Sequence, residues 1–97
     1  MIVLNVTYKC KSTMRSEFLE AIRKEGIDKS ARSEAGNLKY EYYDSTSDPD
    51  ELLLIEKWQN EDAIDFHKNQ AHFARLGELK IKYVDETIID KFIVDEE

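Results

Sequence analysis

Apolar and polar residues alternate from Ile2 to Lys9. Ile2, Leu4, Val6 and Tyr8 fall on one side and Val3, Asn5, Thr7 and Lys9 on the other, a period of two that predicts a strand. The period then changes. Met14, Phe18, Ala21 and Ile22 recur at helical spacing behind Ser12 or Thr13 as a cap, with Arg15, Glu17, Glu20 and Lys24 around the rest. Gly26 interrupts that pattern, Ile27 and Ala31 continue a helix to about Ser33, and Gly36 with Asn37 supplies a stop. Leu38 to Asp44 predicts a second strand, with Leu38, Tyr40 and Tyr42 on one side. A polar turn containing Pro49 returns the chain as a third strand, Glu51 to Trp58, paired with the second as a hairpin. Asn60 then caps a helical region from Glu61 to about Tyr83, broken near Asn69 and Gln70, and Thr87 to Val94 is the last strand.

The order β-α-β-β-α-β is the ferredoxin-like α+β plan, a four-stranded antiparallel sheet with its helices on one face. The third strand conflicts with a lone copy of that plan. Leu52, Leu54, Glu56 and Trp58 point to one face, while Leu53, Ile55 and Lys57 point to the other. Helices cover only one side, so one apolar row meets water at a cost of about 1.5–3 kcal/mol per full side chain. Two sheets packed face to face, one from each of two chains, remove that exposure, and the pattern therefore implies a homodimer. Which row faces the partner is open at this level.

Composition narrows the partners. The 97 residues make one domain, 1–97, with an acidic tail at about 95–97. A formal charge of −7 without clustered Lys and Arg argues against nucleic acid. Cys10 is the one cysteine, so no intramolecular disulfide forms, as expected of a reducing cytoplasm. No basic leader segment precedes the first strand, and no apolar run approaches the roughly 20 residues that cross a bilayer. The expectation is a cytoplasmic protein with no membrane partner.

Chemistry concentrates between Trp58 and Phe73. His67 shares a helical stripe with Ala63 and Ile64 and so leans inward, near Glu56 and Trp58 on one strand face. Such a pocket suits a small molecule, with imidazole able to take and return a proton near neutrality. His72 is the second candidate, its direction depending on the helix break. The two histidines diverge by about 140° on an unbroken helix. With no cysteine pair and no His-Glu-x-x-His pattern, a metal site is not expected. Asn5 is an unusual amide in an otherwise apolar and β-branched strand.

With the stretch from Ser33 to Tyr43, the Ile55 to Trp58 strand, and His67 with His72 and Phe73, the chain resembles the antibiotic biosynthesis monooxygenase family over nearly its whole length. The resemblance implies a dimeric α+β barrel and, in different branches, cofactor-free quinol or polyketide oxidation, isomerisation of a small phosphorylated carbonyl compound, or haem degradation. By register, the haem branch's functional tryptophan falls at His67 and its axial histidine at Gly77, which has no side chain to ligate iron. The implied activity is therefore a cofactor-independent monooxygenase using dioxygen on a small aromatic or quinol-like substrate. His67, His72 and Asn5 are its catalytic candidates and Trp58, Glu56 and Tyr42 its substrate contacts. An enolising isomerase and a binding dimer without turnover are the alternatives.

Overall fold

A computed structural model describes residues 1–95; the last two residues of the expected acidic tail lie outside it. The elements run β1 (Ile2–Cys10), α1 (Arg15–Lys24), α2 (Ile27–Arg32), β2 (Asn37–Asp44), β3 (Glu51–Trp58), α3 (Glu61–Lys68), α4 (Ala71–Tyr83) and β4 (Val84–Ile93). The strands form one sheet in the order β2-β3-β1-β4, every neighbouring pair antiparallel. This is the ferredoxin-like α+β arrangement expected from the pattern. No helix among the described residues is long and apolar enough to cross a membrane.

One sheet face carries the core. Ile2, Val6 and Tyr8 of β1 and Leu52, Leu54 and Trp58 of β3 are buried against Phe18, Ile22, Ile27, Ile64, Leu76 and Leu79 from the helices. The row with Leu53, Ile55 and Lys57 is consequently the uncovered one, and Asn5 belongs to it, paired with Ile55 on one side and Asp90 on the other. Around them Ile88 and Phe92 remain exposed. Expected phasing fails at Leu38, which is exposed instead of lying with Tyr40. The β2–β3 register shifts between Asn37 and Lys39, so Leu38 occupies a bulge and drops out of the alternation.

Local signals explain the helix ends. Asn60 Oδ1 accepts from the Ala63 amide at 3.0 Å, the expected cap of α3. Neither Ser12 nor Thr13 caps α1, whose N-cap is Met14 with no side-chain bond. Thr13 instead takes a left-handed φ of 66°, and its amide donates to Asp50 Oδ1 at 2.9 Å, tying the loop to the β2–β3 hairpin. Between α3 and α4 the helical region breaks where expected. Asn69 ends the first segment, and Gln70, with an extended backbone, starts the second. That break sets the direction of His72.

Candidate active site

A cavity of about 200 Å³ lies between the covered sheet face and α4. Phe73, Leu76, Gly77 and Lys80 supply one wall, at the i, i+3, i+4, i+7 spacing that places residues along one side of a helix. Tyr8 from β1, Tyr40 from β2, Glu56 from β3 and Ile89 from β4 form the sheet wall, and His67 from α3 closes one side. Gly77 is the smallest of the residues lining this space. A side chain built there would meet nothing within 4 Å, so the glycine leaves room in mid-helix at a propensity cost of about 1 kcal/mol.

Behind the cavity lies a chain of polar contacts. Glu34 Oε2 is 2.6 Å from His67 Nδ1 and 2.7 Å from His72 Nε2. A carboxylate only accepts, so those two nitrogens carry the protons, and Nε2 of His67 is left as the free acceptor. The His67 ring packs, tilted, against Trp58 with ring centres 4.7 Å apart, and the Trp58 Nε1 donates to Glu56 Oε1 at 2.9 Å. Glu34 was assigned no role from sequence, and its signal there is slight. It precedes β2 in a loop, 33 positions before His67, and only the packed chain joins them. Gly36 makes that packing possible, because a Cβ there would stand 2.3 Å from the Ala63 Cβ. The β2 entry can therefore press against α3.

Electrostatics separates the two ionisable groups that reach the cavity. Burial pushes the Glu56 carboxyl up to about 7, the Trp58 N–H bond opposes that rise, and the Glu34 charge adds to it. For His67, burial lowers the pKa, with the bond and charge of Glu34 pulling the other way. Near neutral pH the cavity thus presents a neutral imidazole beside a carboxyl that still holds its proton over much of that range. Shifts in opposite directions leave one group able to accept a proton and the other able to donate one.

The expected site residues divide accordingly. His67 and Glu56 line the cavity. Trp58 is fully buried beneath them and supports the site instead of forming its wall. Glu34 is the group that orients His67, at 2.6 Å from its Nδ1. His72 faces a separate outer groove of about 540 Å³ that it shares with Glu34, Asn60 and Phe66. Tyr42 borders a separate groove with Arg23, Asp28 and Arg32 and reaches the cavity only through Tyr40, against whose ring it packs edge-on and whose hydroxyl lies 3.5 Å from its own. Asn5, on the uncovered sheet face, does not share the cavity within one chain, because an odd position in β1 points away from Tyr8 and Val6. Tyr8, Tyr40 and Lys80 join the site without having been singled out for it.

Glu34, His67 and His72 are also the one group of three among the described residues whose ligand atoms, within 4.8 Å of one another, could converge on a metal ion. The helix break has turned the two histidines together, against the divergence of an unbroken helix. Their contacts with Glu34 are nevertheless hydrogen bonds to a single oxygen, and an ion with metal–nitrogen distances of about 2.0–2.1 Å would have to replace both. The arrangement fits proton sharing better. Glu34 Oε1, buried without a protein partner, is an open acceptor in the same chain.

Comparison with known proteins agrees with this architecture. The family model for antibiotic biosynthesis monooxygenase matches residues 1–78. The chain belongs to the antibiotic biosynthesis monooxygenase family. It is 34% identical over 73 residues to the Bacillus subtilis (strain 168) protein named "Putative monooxygenase YcnE", covering 75% of each chain. PA3566 from Pseudomonas aeruginosa superposes with a TM-score of 0.87 at 22% identity, over 98% of this chain and 94% of that one. A Nitrosomonas europaea protein described as a "putative antibiotic biosynthesis monooxygenase" gives 0.88 at 21%, over 97% and 98%. At those identities the two structures establish the shared fold. In the family frame, the matched region includes Glu34, Glu56, Trp58, His67, His72 and Gly77, and ends two residues short of Lys80.

Proposed function

We propose that the protein is a cofactor-independent monooxygenase that oxidises a single-ring phenol or quinol with dioxygen. The observation that carries this reading is the meeting of a neutral imidazole, His67, and a proton-bearing carboxyl, Glu56, on one mostly apolar cavity. A cavity of about 150 Å³ is known to hold benzene, so the present volume suits one substituted ring. His67 Nε2 takes the hydroxyl proton, and the phenolate gives one electron to dioxygen. The resulting superoxide and ring radical combine into a peroxide at carbon. Proton transfer to that peroxide and loss of the carbon's hydrogen as a proton release water, leaving one oxygen atom as a ring carbonyl. The substrate supplies all the electrons. Glu56 supplies the proton for the leaving oxygen, and Glu34 holds His67 in the required tautomer.

The decisive experiment is oxygen uptake with a panel of quinols and phenols, without added metal or flavin. Uptake with one water formed per ring oxidised supports the reading. Proton exchange on a small dione without uptake assigns the same acid–base pair to enolisation instead. Activity should follow a bell in pH, because the base must be neutral and the acid protonated. Its falling alkaline limb belongs to Glu56 at about 7, and its acid limb to His67 below the usual histidine range.

The same reading makes the active form a homodimer. Leu53, Ile55, Ile88 and Phe92 lie on the uncovered sheet face, where a second copy would shield them from water. Asn5 and Asp90, paired across β1 and β4, are polar positions of that face, as are Thr7 and Lys57.

A further inference from the structure

Lys80 is the feature of the cavity that the proposed chemistry leaves unused. It is half-buried in the cavity wall, one helical turn beyond Leu76 and Gly77, with Nζ 5.6 Å from the centre of the Tyr8 ring. None of the ion pairs among the described residues includes it. Most other lysines outside those pairs are exposed, whereas Lys80 is part-buried and lines the cavity. The one carboxyl lining the same space, Glu56, lies on the opposite wall and keeps its proton over much of the neutral range. A lysine stem commonly lies along apolar surface with its ammonium group in water. Here burial also lowers the pKa of Lys80, with no neighbouring carboxylate to offset it. An anion brought into the cavity would supply the missing partner.

We propose that Lys80 forms an oxyanion subsite of the cavity, and that the ring bound there carries a negatively charged oxyanion substituent, a carboxylate or a phosphate ester. The proposal rests on the preceding reading for the ring, and adds the charge that selects it. The ring would lie over Gly77 between Tyr40 and Phe73, its hydroxyl toward His67 and its anion toward Lys80. Lys80 acts in binding and orientation, and is not an acid–base group in the reaction.

Anaerobic binding separates this proposal from the oxygenase reading, since no turnover is needed. The probes are 2,5-dihydroxybenzoate, its neutral amide, and 4-hydroxyphenyl phosphate, titrated calorimetrically against the wild type, Lys80→Met and Lys80→Arg. The wild type should favour at least one anionic probe over the amide by about tenfold or more, the usual worth of a hydrogen bond to a charged group. Lys80→Met should abolish that preference with the amide unaffected, and Lys80→Arg should retain most of it. A stronger grip on the benzoate identifies the group as a carboxylate, and a stronger grip on the ester identifies it as a phosphate. Equal binding of charged and neutral probes by the wild type would overturn the subsite, as would a preference that survives in Lys80→Met. Failure of oxygen uptake with intact anion selectivity would defeat the oxygenase reading alone.

Discussion

Replacing Glu56 by glutamine should make the protein more stable at alkaline pH and leave it nearly unchanged in acid. Glu56 is 7% exposed, and its carboxyl is raised from 4.5 to about 7 mainly by burial. A raised folded-state pKa means that the folded chain binds the proton more tightly than the unfolded one. The resulting stability is fully present below pH 4.5 and is lost as pH rises through 7. The difference of about 2.5 pH units, at about 1.36 kcal/mol each, amounts to about 3 kcal/mol. Glutamine cannot ionise, and its side-chain oxygen can still accept the Trp58 Nε1 proton, so the variant escapes this loss while keeping the bond. Urea unfolding of both proteins from pH 4.5 to 8.5, at one protein concentration, measures the difference directly. The stability advantage of Glu56→Gln should grow from near zero to about 3 kcal/mol across that range. The titration of His67, common to both proteins, largely cancels. A flat difference would refute the argument, and with it the role of Glu56 as a proton donor near neutrality.

His67→Gln should lower kcat/KM by about 10²–10⁴-fold, the usual worth of a general acid–base group, while His72→Gln, one contact further from the cavity, should cost less; thermal unfolding of both checks that the loss is chemical. A folded His67→Gln enzyme with undiminished kcat/KM would remove that residue from the reaction. Gly36→Ala should destabilise the fold by about 1–3 kcal/mol through its overlap with Ala63, measurable by urea unfolding. Leu53→Asp or Ile55→Asp, on the uncovered face, should give monomer or aggregate in sedimentation, and a monomeric wild type at micromolar concentration would dismiss the dimer.

The elements were legible in the chain because burial on one side imposes a period of two on strands and 3.6 on helices. β3 was bounded to the residue by that rule, with Asn60 announcing the helix after it. Errors arose where a local contact overrode the pattern. Leu38 lost its phase to a bulge, Ser12 and Thr13 gave up the cap, and β4 begins at Val84, before the expected Thr87. Within the site, His67 and Glu56 were readable because each sits on an inward stripe of its own element. Asn5 shares no cavity with them within one chain, because the alternation along β1 points its side chain to the opposite face of the sheet.

What the sequence determined by itself was therefore everything carried by short-range periodicity: the order of strands and helices, the two-sided apolar third strand, the inward lean of His67 and the break before His72. Only the tertiary structure decided which row of β3 is covered, that Glu34 reaches both histidines, that Trp58 lies beneath the site, and that Lys80 faces the cavity without an anionic partner. The physical reason is that these contacts join residues tens of positions apart. Nothing in a local stretch encodes a distance that arises only when β2, β3 and the two helices behind Trp58 pack together. The shift at Glu56 has the same origin, since a carboxyl acquires it only where folding removes the surrounding water.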